Sequence, residues 1–180
     1  MKLRSLLIIC GLSLLSCNSA DYVEDNSWKK CYFDFDAVTH YRIAVTESEI
    51  SEVRDKNGQM PDSEQLWLDV IDLDLPQDIS DSLFVYELEE IGFEKSIVPD
   101  EKHEDIKDLF REKGFDYGQE YWMCIAIYRD ILVFRDNNAI TGIAKICFEC
   151  DQSQIVGTDL RTDNFGAFNS FQKLYKILYE

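Results

Sequence analysis

The sequence predicts an α+β domain, in which an antiparallel sheet that includes a C-terminal hairpin is packed by two or three helices. Residues 31–45, CYFDFDAVTHYRIAV, are rich in aromatic and β-branched side chains with partial alternation, as strands are. Apolar residues then recur at helical spacings between residues 80 and 114. Two later apolar runs, residues 121–134 and 139–150, flank a polar turn. Helical segments followed by paired strands are typical of α+β folds.

The helical segments begin and end at recognisable boundary residues. Thr46 is followed three residues later by Glu49, which is the spacing of a capping box, so a short helix is expected there. Residues 80–82, Ser-Asp-Ser, are expected to cap a second helix that ends at Gly92. The apolar positions of this second helix are Leu83, Phe84, Leu88 and Ile91.

Residues 93–98, FEKSIV, are expected to form a short extended piece between helices. Pro99 then opens a further helix over residues 100–114, which Gly114 stops. Ile106, Leu109 and Phe110 are expected to form its buried stripe, and Glu104 and Asp108 its solvated face.

The two C-terminal apolar runs predict a hairpin around the turn Asp136-Asn137-Asn138, in which Asn138 takes a left-handed conformation. A three-residue turn places Arg135 opposite Ala139 and fixes every other pair. The expected pairs are Phe134 with Ile140, Leu132 with Gly142, Asp130 with Ala144, Tyr128 with Ile146, Ala126 with Phe148, and Cys124 with Cys150. Thr141, Lys145 and Glu149 then lie on the other face, because side chains alternate along a strand.

The N-terminus has the features of a secretory leader. Lys2 and Arg4 precede an apolar run from Leu6 to Leu15, and the first acidic residue is Asp21. The run is too short for the ~20 apolar residues that span a bilayer as a helix. Residues 14–17, Leu-Leu-Ser-Cys, resemble the lipobox of bacterial lipoproteins, in which the leader is cut just before a cysteine that becomes acylated.

This resemblance covers about a tenth of the chain and implies an address, not an activity. It implies a signal peptide over residues 1–16, a lipid anchor on Cys17, a tether over 17–30 and a single domain over 31–180. More than one acyl chain, palmitate included, makes stable membrane anchoring feasible. Asn18 stands where the family pattern of many Gram-negative bacteria places Asp for retention at the inner membrane. The outer membrane is therefore expected, and whether the domain faces the periplasm or the cell surface stays open.

The charge of the chain limits its partners. Removal of residues 1–16 takes Lys2 and Arg4 but no acidic residue, so the formal charge falls from −17 to −19. Nucleic acid is excluded as a partner, because phosphate binding needs a basic surface. The acidity serves solubility or, alternatively, attracts a basic protein partner by electrostatic steering.

Cys147 and Cys150 form a Cys-x-x-Cys motif at the end of the second apolar run. If the strand continues through Cys150, the two Cα atoms lie ~10 Å apart, whereas a disulfide needs less than ~7 Å. The hairpin register instead pairs Cys124 with Cys150, in a compartment that permits disulfides. Cys31 and Cys147 are candidates for a second bridge. Free thiols, metal binding and redox use of the motif stay open.

A zinc site would combine Cys124, Cys147 and Cys150 with His40 or His103. The histidines lack paired ligand spacing, so no metal ligand and no cofactor is assigned. The chain also contains no GxSxG, HExxH or phosphate-binding loop, and no catalytic residue is assigned.

The function expected from these observations is that of a non-enzymatic, lipid-anchored envelope protein that binds another macromolecule. One alternative is a thiol-redox or metal-binding protein that uses Cys147 and Cys150. Another is an immunity lipoprotein that neutralises a basic toxin. The strand that runs into CFEC also resembles the C-terminal part of small uncharacterised bacterial lipoproteins, and that resemblance implies no activity.

Overall fold

A computed structural model of the chain describes residues 30–56, 60–72, 74–114 and 124–180. The predicted leader, Cys17 and all of the tether except Lys30 lie outside these ranges, as do residues 121–123 of the predicted hairpin. The described strands form one antiparallel sheet in the order β2-β1-β3-β4-β5. The strands are β1 (Ala37–Arg42), β2 (Glu94–Ile97), β3 (Asp130–Asp136), β4 (Ala139–Cys147) and β5 (Gln152–Val156).

The described residues also contain four α-helices and three short 3₁₀ helices. The α-helices are α1 (Glu47–Arg54), α2 (Asp62–Ile71), α3 (His103–Leu109) and α4 (Ser170–Tyr179). The 3₁₀ helices are Ile79–Tyr86, Asp100–Lys102 and Ala167–Asn169. The predicted class, α+β with helices packed on an antiparallel sheet, is confirmed. No helix in the described ranges is both long and apolar enough to span a bilayer.

The sheet is buried on both faces by two separate hydrophobic cores. The first core joins Tyr41, Ile131, Val133 and Ile143 of the sheet to α1, α2 and the 3₁₀ helix Ile79–Tyr86. The second core joins Val38, Leu132, Phe134, Ala144 and Ile146 to α3 and α4. The apolar side chains therefore alternate between two dry faces, and the structure has three layers with the sheet in the middle.

Local signals placed several element boundaries correctly. The Thr46 side chain accepts a hydrogen bond from the Glu49 backbone, and Glu49 accepts one from the Thr46 N–H, so the predicted capping box is confirmed. The extended piece after Gly92 is β2. The helix expected from Ser80 is instead a 3₁₀ helix whose capping residue is Asp78, with Asp81 completing the box.

Two elements are shorter than expected. Of the residues predicted as a strand, 31–45, only Ala37–Arg42 form one, which is β1. Cys31 forms an isolated backbone β-bridge to Arg111. That bridge also explains why the helix predicted to reach Gly114 ends at Leu109. The backbone after α3 turns away to pair with the chain near Cys31, where the Tyr32 N–H donates to the Phe110 carbonyl at 2.7 Å.

The register predicted for the hairpin is wrong. The turn has two residues, Asn137 and Asn138, both with positive φ, and Asp136 lies opposite Ala139. An irregularity between Phe134 and Arg135 then shifts the ladder again. The observed pairs are Arg135 with Ile140, Phe134 with Gly142, Leu132 with Ala144 and Asp130 with Ile146.

The turn chemistry and the shift explain this error. A two-residue turn needs two consecutive left-handed residues, and asparagine tolerates that conformation better than most residues do. The irregularity then inserts one further residue into β4, as a β-bulge does. Since the total displacement beyond the irregularity is two residues, Gly142, Ala144 and Ile146 keep their predicted face. Two predicted faces are wrong, because Ile140 packs on the first core and Tyr128 lies beside Lys145.

Candidate functional site

The predicted bridge between Cys124 and Cys150 is present, although the strand pairing that suggested it is not. Cys124 lies in an irregular segment before β3, and Cys150 lies in the turn between β4 and β5. Their Cα atoms are 5.8 Å apart and their sulfurs are bonded. The Gln152 side-chain amide donates to the Cys124 carbonyl at 2.9 Å and holds the same two segments together.

The sequence motif Cys-x-x-Cys is therefore divided between two environments. β4 ends at Cys147, whereas Cys150 lies in the following turn, so the assumption that the strand continues through Cys150 is wrong. Cys150 is bonded to Cys124, and Cys147 is a buried free thiol. No helix follows the motif, because the chain enters β5 at Gln152. The arrangement lacks the helix N-terminus that lowers the pKa of a redox-active thiol.

The second candidate bridge, between Cys31 and Cys147, is not formed, and both cysteines are free thiols. The sheet explains this. Cys147 lies four residues after Ile143 on the same strand, so its side chain is on the face of the first core. Cys31 bridges to Arg111 after α3, beside the second core. The sheet separates the two thiols.

The histidines that could have completed a zinc site have other partners. The His40 Nε2 atom is 2.7 Å from a carboxylate oxygen of Asp130, and His103 Nε2 is 3.2 Å from the Val98 carbonyl oxygen. In the part of the chain that the structure describes, no three His, Cys, Asp or Glu side chains are grouped as metal ligands would be.

Asp130, the one charged residue that the sequence placed inward, belongs to a buried polar cluster. His40 on β1 and the Tyr179 hydroxyl on α4 both hydrogen-bond to the same carboxylate oxygen. Both His40 and Asp130 are 5% exposed. Burial, and then the hydrogen bond to Asp130, raise the pKa of Tyr179 above its usual range. The cluster joins two strands to the last helix.

In nucleophilic catalysis, a histidine–carboxylate pair activates a neighbouring serine, threonine or cysteine side chain. No serine, threonine or cysteine side chain within the described ranges hydrogen-bonds to the His40 imidazole. Ser96 donates to the His40 backbone carbonyl instead, at 3.3 Å. His40 satisfies the buried Asp130 carboxylate, and the Tyr179 hydroxyl on the same oxygen anchors α4.

A second buried charge lies on the opposite face of the sheet. Lys145 is 0% exposed, and its Nζ atom donates to the Leu75 carbonyl at 2.8 Å and lies 4.5 Å from the centre of the Tyr128 ring. Burial lowers the pKa of Lys145 to about 7, although Asp74 and other nearby aspartates favour the charged form. A neutral lysine amine is a nucleophile, but no substrate reaches a fully buried one. Lys145 instead holds the loop that contains Leu75 against β4.

The predicted hairpin placed Lys145 on the face opposite to that of Leu132 and Phe134. The prediction did not include that this face is also buried. A signal was present, because Ile131 and Val133 alternate with Leu132 and Phe134 in an uninterrupted apolar run. Such a run is typical of strands that are covered on both faces. No local pattern in the sequence indicates that His40 is the partner of Asp130, because the two residues are 90 positions apart.

Comparison with protein-family models, with curated proteins and with solved structures finds no match to this chain.

Proposed function

We propose that this chain is a non-enzymatic lipoprotein of the bacterial envelope, anchored through acylated Cys17, whose folded domain binds another macromolecule. The observation that carries the proposal is the order of features in the leader. Basic residues, a short apolar run, a small residue and Cys17 follow one another as they do in lipoproteins. The Cys124–Cys150 disulfide supports an oxidising compartment such as the envelope, because such bridges are rare in the cytosol.

The outer membrane is the proposed location, since Asn18 follows the anchor where an inner-membrane retention signal would place Asp. The anionic headgroup surface repels a domain of this charge, which fits attachment through lipid and not through basic side chains. The same charge favours a basic protein as the binding partner.

The proposal is tested by changing the anchor. Cys17→Ala is expected to abolish incorporation of labelled palmitate and to leave an uncleaved precursor, because both steps act on that cysteine. Cys10→Ala, which removes the cysteine within the leader, is the matched control and is expected to label as the unchanged protein does. Continued palmitate incorporation in Cys17→Ala would show that the lipoprotein assignment is wrong.

The main alternative is a thiol or metal protein that uses Cys147 and Cys150. The bond from Cys150 to Cys124 and the burial of Cys147 argue against it. Mass spectrometry of the protein from its native envelope separates the two proposals. Bound zinc, or a mixed-disulfide adduct with Cys147 and Cys150 free, would favour the alternative.

A further inference from the structure

A groove of about 360 Å³ lies between α3 and α4, on the outer side of the second core. Its apolar surface is formed by Leu109, Phe168 and Ile177. A cavity of this size lies within the range of small-molecule sites, which combine apolar walls with a few polar groups. The groove lies on the opposite side of the sheet from Lys145, because α3 and α4 pack on the second core.

Apart from Lys113, which is buried and donates to the Leu109 and Phe165 carbonyls and the Ser170 hydroxyl, the charged side chains of the groove are separated by sign. Asp105 and Asp108 belong to α3, whereas Lys173 and Lys176 belong to α4. Asp108 already pairs with Arg111, whose Nε atom is 3.0 Å away. One wall of the groove is therefore acidic and the other basic.

Three of these charges have no partner of opposite sign. Within the described ranges, Lys173 and Lys176 have no carboxylate within 4.0 Å, and Asp105 has no cationic group within 4.0 Å. Two uncompensated lysines on adjacent turns of one helix are notable in a chain whose formal charge is −17. All three side chains are exposed and able to meet a ligand.

The backbone beside the groove is held in an unusual conformation. Phe168 has φ 59° and ψ 35°, and Asn169 follows with φ 61° and ψ 34°. A bulky aromatic residue rarely adopts the left-handed region, and such outliers cluster at sites where a side chain must be aimed. Here the conformation places the Phe168 ring in the lining of the groove and not in the core.

We propose that this groove binds a small zwitterion with an apolar body, of the kind that an apolar dipeptide presents. The ammonium group lies at Asp105, the carboxylate lies at Lys173 and Lys176, and the apolar side chains cover Leu109, Phe168 and Ile177. A ligand with both charges satisfies all three unpaired side chains, whereas a simple anion meets the acidic wall of α3 and a simple cation meets the basic wall of α4. This site goes beyond the proposed macromolecular partner and does not depend on the lipid anchor.

The experiment uses the full-length protein as isolated, in the presence of lipid nanodiscs, and three probes: leucyl-leucine, its N-acetyl derivative and its C-terminal amide. Isothermal titration is expected to show binding of leucyl-leucine, and each derivative is expected to bind at least about tenfold more weakly because it lacks one charge. Empty nanodiscs provide the blank. Equal binding of either derivative would overturn the proposal, as would no binding of leucyl-leucine at about 10 mM, which exceeds the millimolar Kd expected of a weak site.

Variants at exposed positions test the assignment of each charge. Lys173→Gln combined with Lys176→Gln, and separately Asp105→Asn, are expected to weaken leucyl-leucine binding about tenfold without lowering the melting temperature. Lys95→Gln and Glu101→Gln are the matched controls, since both side chains are exposed and neither lines the groove. Unchanged binding in the groove variants, or equal loss in the controls, would show that the groove is not the binding site.

Discussion

Cys124 and Cys150 are joined although neither lies in a strand, so the bridge connects two irregular segments at one end of the β3–β4 pair. The two cysteines are 26 positions apart. In the chain-entropy model, closing a loop of this length contributes roughly 3 to 4 kcal/mol to stability. We therefore assign the bridge a structural role.

Cys124→Ala and Cys150→Ala are each expected to lower the melting temperature by roughly 10 °C, from the loss of about 3 kcal/mol in a chain of this size. The double variant is expected to be little worse than either single one, because all three lack the same bond. Cys147→Ala is the matched control and is expected to be additive with both. Thermal unfolding followed by circular dichroism makes the comparison, and non-additivity between Cys147→Ala and Cys150→Ala would point to a shared redox function instead.

Lys145 gives the stability of the protein a distinct pH dependence. Burial lowers its pKa from 10.5 to about 7 in the folded state, so between these values the unfolded chain binds more protons than the folded one. Stability therefore rises with pH in this window. The unfolding free energy of the unchanged protein, relative to that of Lys145→Met, is expected to increase by on the order of 2 kcal/mol from pH 7 to pH 9.

Urea unfolding of both proteins at several pH values measures this difference. The comparison with Lys145→Met cancels the contributions of other groups that titrate in the same range. If the difference in unfolding free energy stays constant, or falls with rising pH, then burial does not disfavour the charged form of Lys145 and the prediction is wrong.

At the scale of elements, β4 requires a glycine at position 142, because the Phe33 ring packs directly against the backbone there. A Cβ atom added at Gly142 would be 2.3 Å from Cδ1 of Phe33, and the Phe33 ring is itself packed 4.7 Å from that of Phe134. Gly142→Ala is expected to destabilise the protein by about 1 to 3 kcal/mol through overpacking. Combining it with Phe33→Leu is expected to recover part of that loss, and a purely additive double-mutant cycle would show that the contact is not the cause.

The hairpin shows how far sequence reasoning reaches at this scale. The two runs, the position of the turn and the faces of the central residues of β3 and β4 could be read from alternation. The partners could not, because Asn137 and Asn138 form a two-residue turn and the irregularity at Phe134 adds a second displacement of one residue. These two changes of local geometry moved the predicted pairs, and Ile140, which lies between them, packs on the opposite face.

The last helix was not predicted, although a signal for it exists. Phe171 and Leu174 are spaced as on one face of a helix, and both are buried in the second core. Its N-terminus has no side-chain cap, since Asn169 is in the left-handed region and makes no capping hydrogen bond. The groove between α3 and α4 could not be foreseen for the same reason, because it exists only once α4 is placed beside α3.

At the scale of the whole molecule, an acidic chain folds into a sheet that is covered on both faces, and the envelope location proposed from its N-terminal residues stays a prediction. Buried polar side chains lie on both faces of the sheet, with His40 and Asp130 on one face and Lys145 on the other. Each set connects the sheet to the segment packed against it.

Non-reducing peptide mapping of the protein isolated from its native envelope examines the proposed anchor and the disulfide in one measurement. We expect an N-terminal peptide that begins at acylated Cys17 and a disulfide-linked peptide pair that contains Cys124 and Cys150. A mature chain that retains residues 1–16 or carries an unmodified Cys17, or a link between Cys147 and Cys150, would contradict this expectation.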